Sequence, residues 1–173
     1  MYSIILLSLL SFIQGPVSTA NVQEPSSALT KTIILDGITT KWTPVGNFME
    51  FEVTANTIGW VSIGFNDRDA SVFSNRIVGG VGNGFAKVEE NYMVRSTLQK
   101  SIESAGGKTS ISDANVMEEN GKTVMRFKIP KVSQDIYHYD LLPGQKIWIT
   151  CAFSENDDFN FLTKAERRVE ITL

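Results

Sequence analysis

One histidine, one cysteine and two groups of acids are what this 173-residue chain offers to the usual chemistry of catalysis and metal binding. His138 stands alone, so a copper or zinc centre built from several imidazoles cannot be assembled within one chain. A serine–histidine–aspartate relay would have to pass through His138, and no nucleophile elbow lies near it. The turn-like Tyr137-His138-Tyr139-Asp140 stretch predicts a hydrogen-bonded or surface imidazole rather than a ligand. Asp67 and Asp69, with Glu155, Asp157 and Asp158, carry the oxygen ligands that Ca²⁺ takes. Arg68 supplies a counter-charge to the first group, and Glu155-Asn156-Asp157-Asp158 reads as a solvated hairpin. The run from Val78 to Gly84 is rich in glycine but lacks the lysine and helix of a phosphate loop, so it reads as a strand ending in a tight turn. These residues point away from an enzyme.

The elements that must position them have period two nearly everywhere. Lys31–Leu35 is a short apolar strand closed by Asp36-Gly37. Met49, Phe51, Val53 and Ala55 alternate with Glu50, Glu52 and Thr54. Asn56-Thr57 is expected to turn that strand back as a hairpin into the next, where Val61, Ile63 and Phe65 point one way and Trp60, Ser62 and Gly64 the other. Tyr92, Val94, Ser96 and Leu98 alternate in a further strand. Asn120-Gly121 marks a hairpin, followed by Thr123, Met125, Phe127 and Ile129 on one face, with Pro130 as the stop. Cys151 shares a face with Ile147, Ile149 and Phe153 and is expected to be a buried, inert thiol. The last strand runs around Val169, Ile171 and Leu173. Lys131–Tyr137 is the one candidate helical turn. About eight to ten strands at this spacing predict an all-β, antiparallel, immunoglobulin-like sandwich. Trp42, Trp60 and Trp148 read as packing residues.

Residues 1–20 read as a secretory signal: the apolar run from Ile4 to Ile13 is broken by Gly15-Pro16, and Ser18-Thr19-Ala20 offers a cleavage site before Asn21. No Lys or Arg precedes the run, and it is shorter than the roughly 18 residues that span a bilayer. Residues 21–30 form a loose leader, and 31–173 a single domain. The expected product is secreted and extracellular, without a membrane span. A net charge of −3 argues against a nucleic-acid partner. The single cysteine allows no internal disulfide, so stability must come from packing.

Gly59-Trp60-Val61-Ser62-Ile63-Gly64-Phe65-Asn66, followed by Ile77-Val78-Gly79-Gly80-Val81, resembles the core of the DOMON family, the dopamine β-monooxygenase N-terminal-like domains. The resemblance runs from about Trp42 to the C-terminus. It implies a secreted or membrane-tethered β-sandwich that binds haem or sugars, or that serves as an interaction module beside a redox domain. The cytochrome-type members hold haem b between a Met in the loop after the Gly-Trp strand and a His near the last hairpin. Here the first loop, Asn66 to Asn75, contains no Met, and Val72 falls nearest that slot. Thr163 or Lys164 stands in the histidine's place. No cofactor is therefore expected, and pairing Met93 with His138 is no substitute, since Met93 reads as a sheet methionine.

The same two loops are expected to face each other across one end of the sandwich and to form a pocket mouth. Phe73, Phe159 and Phe161 are large apolar groups in polar loops, and Lys164 or Arg68 could meet a carboxylate or a sugar hydroxyl. The candidate ligand-binding residues are Val72, Phe73, Phe161 and Lys164. The sequence reading is a secreted binding module for a small ligand (sugar or haem-like) or for an extracellular partner protein, without catalysis of its own. Its alternatives are a haem-carrying electron-transfer domain and an accessory domain beside a separate oxidoreductase.

Overall fold

Alternation in the sequence becomes two faces in space. The computed structural model describes residues 29–160 and 163–173; the expected signal, most of the leader, and Phe161 lie outside them. Eleven strands and one short helix follow in chain order: β1 (Lys31–Leu35), β2 (Ile38–Val45), β3 (Phe48–Ala55), β4 (Val61–Asn66), β5 (Asn75–Gly82), β6 (Phe85–Arg95), β7 (Leu98–Ser101), α1 (Ile102–Ala105), β8 (Ser112–Glu119), β9 (Lys122–Pro130), β10 (Lys146–Phe153) and β11 (Ala165–Thr172). They form a five-stranded sheet, β1-β2-β3-β9-β8, and a six-stranded sheet, β11-β10-β4-β5-β6-β7. All pairings are antiparallel. The expected all-β sandwich is what the chain forms.

The inner faces meet in one core. Phe51 of β3, Phe65 of β4 and Phe127 of β9 sit at its centre, with Phe51 5.0 Å from Phe65 and 5.4 Å from Phe127 between ring centroids. Aromatic pairs at such distances add roughly 0.5–1.5 kcal/mol each beyond their burial. Met49, Val53, Ala55, Met125 and Ile129 fill the five-stranded side, and Ile63, Ile77, Ile149 and Cys151 the six-stranded side. Trp42 belongs to this core, while Trp60 faces outward in a small second cluster with Val78 and Ala152. Trp148 is half-buried.

Three local expectations are corrected. The chain does not turn back at Asn56-Thr57: β3 and β4 lie in different sheets, so the segment crosses between them. Thr57 anchors the crossing, its hydroxyl donating to Ser154 O (2.6 Å), while Thr123 Oγ1 donates to Thr57 O and Gly59 O. The strand expected to run through Leu98 bends at Ser96-Thr97 and returns as β7, with a register shift beyond Met93. Lys131–Tyr137 forms no helix. The helical turn lies at Ile102–Ala105, where Ser101 Oγ accepts from Ser104 N and Gly106 ends the turn at φ 106°. Serine before the turn and glycine after it are its whole signature.

Candidate functional site

Every residue of β4 is buried, although an antiparallel strand in a two-sheet sandwich ordinarily shows one face to water. The cause is a second layer on the outer face of the six-stranded sheet. Trp60, Ser62 and Gly64 point to that side, as do Arg76, Val78 and Gly80 of β5 and Thr150 and Ala152 of β10. Phe159, from the segment after β10, packs on Trp60, Val78 and Ala152. The glycines make room for this. A Cβ on Gly80 would lie 3.1 Å from the Phe159 ring and 3.2 Å from Trp60, and one on Gly64 would lie 3.3 Å from Ser74 Oγ. Gly59 is tighter still: its Cβ would fall 2.5 Å from backbone atoms of Ser154 and Asn156.

Two hollows lie on this face. One is an open groove of about 260 Å³. Its floor is Gly80 and Gly82, its aromatic walls are Phe85 and Phe159, and its rim carries Lys87, Glu89, Gln99, Asp157, Asp158 and Asn160. Phe85 is 79% exposed, so its ring is open to a ligand in the groove. Lys87 lies over the Phe159 ring, 5.8 Å from its centroid, and pairs with Glu89. The other hollow is a narrow cleft of about 20 Å³, room for one water molecule, lined by Ser62, Gly64, Ser74, Arg76, Met93 and Glu166 among others.

Between the two hollows runs a short chain of polar contacts. Arg76 Nη1 donates to Gln99 Oε1 (3.1 Å), and Gln99 Nε2 donates to Phe159 O (3.3 Å). The guanidinium lies 4.9 Å above the Trp60 ring centroid. Its Nη2 is enclosed without a hydrogen-bond partner, and so is Trp60 Nε1. Burial pushes Arg76 below the ordinary arginine range, and the charge of Glu166 offsets this in part. Glu166 is itself paired with Arg168 (3.1 Å).

Of the residues singled out from sequence, Phe159, Asp157 and Asp158 line the groove, whereas Val72, Phe73 and Lys164 do not. β4 and β10 run antiparallel, with Asn66 beside Trp148 and Val61 beside Phe153. The loop leaving β4 and the loop leaving β10 therefore lie at opposite ends of β4, on the order of 16 Å apart along it, and do not face each other across one end of the sandwich. The first is strapped down: Asn66 Nδ2 donates to Ala70 O and Val72 O, and Tyr139 Oη donates to Phe73 O. Val72 thus serves through its carbonyl. Phe73 adopts φ 70° and is 46% exposed; its ring packs on Tyr92 (6.4 Å), away from the groove. Lys164 is exposed and paired with Glu155, and its N–H donates to Phe153 O. Phe161 lies outside the described residues. Asp67 pairs with Arg68, Asp69 with Arg168 and Glu155 with Lys164. Among the described residues no cluster of three metal-ligating side chains forms.

Sequence reading missed Arg76, Gln99 and Phe85. Arg76 had a visible signal, a charge inside a run that is otherwise apolar and glycine. Phe85, directly after the Asn83-Gly84 turn, looked like any strand residue.

A DOMON domain model matches residues 36–154. The chain belongs to the DOMON domain family. Among solved structures, this DOMON domain is similar to the cytochrome b domain of pyranose dehydrogenase from Coprinopsis cinerea. The TM-score is 0.55 at 8% identity, over 77% of this chain and 76% of that one. At that identity the likeness is one of fold.

The residues present do not fit a haem held between methionine and histidine. Neither bracketing loop carries the ligand the family pattern asks for. Met93 does face the outer side, lining the narrow cleft, but His138 lies on the other side of the sheet, held between Glu90 (3.1 Å) and Asp135 (2.6 Å). A cleft of about 20 Å³ is also far below the roughly 300 Å³ of a small-ligand pocket.

Proposed function

We propose that this DOMON domain is a secreted, non-enzymatic binding module that takes a small polar ring compound, a sugar, in the groove between Phe85 and Phe159. The observation that carries this is the exposed Phe85 opposite Phe159 above a floor of glycines. A pyranose ring has C–H faces that pack on aromatic rings and an equator of hydroxyls. Glu89, Asp157 and Asp158 accept from hydroxyls, Lys87 donates, and Asn160 does both. The glycine floor lets the ring approach the backbone of β5. Secretion is supported by the expected signal at residues 1–20, and the absence of catalysis by the lone histidine, held between two carboxylates.

The test uses the purified full chain, titrated with neutral mono- and oligosaccharides by calorimetry. Phe85→Ala and Phe159→Ala are expected to weaken binding about tenfold or more, as loss of an aromatic anchor does. Phe85→Ala should leave the thermal midpoint nearly unchanged, because the ring is exposed. Saccharide affinity indifferent to both substitutions would refute the groove. The fold of the cytochrome b neighbour favours a second reading, a haem-carrying electron-transfer domain. An absorption spectrum decides between them: the sugar reading expects a colourless protein, and a Soret band at one haem per chain would replace it.

A further inference from the structure

Resting on the sugar-binding reading, we propose that the preferred ligand is an acidic sugar, a uronate, whose carboxylate displaces Gln99 from Arg76. Arg76 is a charged group placed where strand packing has no use for it, on the outer face of a central strand, stacked on Trp60. Its partners satisfy only part of the fork. Nη1 has a neutral amide, Nη2 has nothing, and Glu166, the acid whose charge acts on it, is shared with Arg168. An enclosed guanidinium donor without an acceptor is costly, and a carboxylate matches the fork with two parallel, charge-assisted hydrogen bonds.

The path runs through Gln99. Its side chain lines the open groove and is the partner that separates the groove from Arg76. It sits on β7, a four-residue edge strand, half-buried, so its amide can swing outward without disturbing the core. A sugar ring seated between Phe85 and Phe159 would then lie one side chain away from the guanidinium. The rest of the rim opposes an anion: Glu89, Asp157 and Asp158 outnumber Lys87. A carboxylate is therefore steered to a single place, and its ring is oriented with the hydroxyls toward the acids. The charge rejects acids elsewhere in the groove, which makes the Arg76 seat a determinant of specificity.

The probes are sodium glucuronate and galacturonate, compared with neutral glucose and galactose at constant ionic strength. Uronates are expected to bind about tenfold or more tightly than their neutral parents, the effect of one charge-assisted pair. Arg76→Gln should abolish that preference while leaving neutral-sugar binding in place. Gln99→Ala should strengthen uronate binding, because it removes the competitor, and this variant keeps the test open if Arg76→Gln fails to fold. In NMR spectra the Trp60 indole N–H and Arg76 Nε–H signals should shift with uronate and not with the neutral sugar. Equal binding of acid and neutral sugar, or a preference that survives Arg76→Gln, would overturn the carboxylate seat and leave the groove intact. Loss of saccharide binding altogether would remove both readings, and Arg76 would then be a structural group.

Discussion

His138 ties separate segments of the chain together through both of its ring nitrogens. Its side chain is 3% exposed, and both ring nitrogens face carboxylates, Glu90 and Asp135. Glu90 is also held by Asn75 Nδ2, Ser110 N and Ser110 Oγ, so the cluster pins residues 108–111 and 131–141 onto β6. Burial alone pushes the imidazole down, but the hydrogen bonds and charges of Glu90 and Asp135 more than reverse this and hold it above its usual 6.5. Burial likewise raises Glu90 and Asp135, yet their hydrogen bonds leave both below the ordinary carboxylate range. A raised His pKa contributes stability that is complete below about 6.5 and is lost as pH rises through the folded value. The lowered carboxylates contribute stability that is complete above about 4.5 and is lost on acidification. Stability should therefore peak between about pH 4.5 and 6.5, and His138→Gln should flatten the alkaline decline. Chemical denaturation across pH 4–9 reads both slopes; an unchanged alkaline limb in the variant would be inconsistent with this cluster. Cys151 is the opposite case, a reactive group silenced by its strand. Burial raises its thiol to about 11, with Thr40 Oγ1 3.4 Å away. It should label with a thiol reagent only on unfolding, and Cys151→Ala should cost about 1 kcal/mol. Rapid labelling of the native protein would contradict that placement.

At the scale of elements, alternation was readable because each sheet has one inner face: Met49, Phe51, Val53 and Ala55, or Thr123, Met125, Phe127 and Ile129, fall where period two puts them. The crossing from β3 to β4 was not readable. A hairpin and a change of sheet both begin with a polar pair such as Asn56-Thr57, and what distinguishes them is the bonding of Thr57 to Ser154, nearly a hundred residues away. The same holds for the site. Phe73 and Lys164 looked like partners by composition, but the antiparallel register of β4 and β10 sends their loops to opposite ends. Arg76 and Phe85 become neighbours of the groove only through pairing with Gly64 and Gly82. Gly59 offers the sharpest test at this scale. Its missing Cβ is replaced by the backbone of residues 154–156, which also bonds Trp60 N and O (3.2 and 3.0 Å). Gly59→Ala must push that segment away, with an expected loss of roughly 2 kcal/mol or more and weaker saccharide binding, since Asp157–Phe159 follow directly. Differential scanning calorimetry alongside titration measures both, and an unaltered thermal midpoint would contradict the close approach.

At the scale of the molecule, the sheet order has a consequence for the chain as it is being made. β4 lies in the middle of its sheet, but one of its two neighbours is β10, which ends at Phe153, near the end of the 173 residues. Until β10 emerges, the nascent chain carries β4 as an open edge, with unpaired backbone groups and Val61, Ile63 and Phe65 in a row. Such an edge invites pairing with another chain. Synthesis at 5–20 residues per second leaves it uncovered for several seconds while the preceding strands can already pair. The inner-facing thiol of Cys151 arrives with the strand that closes the gap, so it is shielded as soon as pairing is complete. A ribosome-bound chain of this protein is thus most vulnerable to misassembly just before β10 emerges, and a chain cut before β10 would keep that exposed edge permanently.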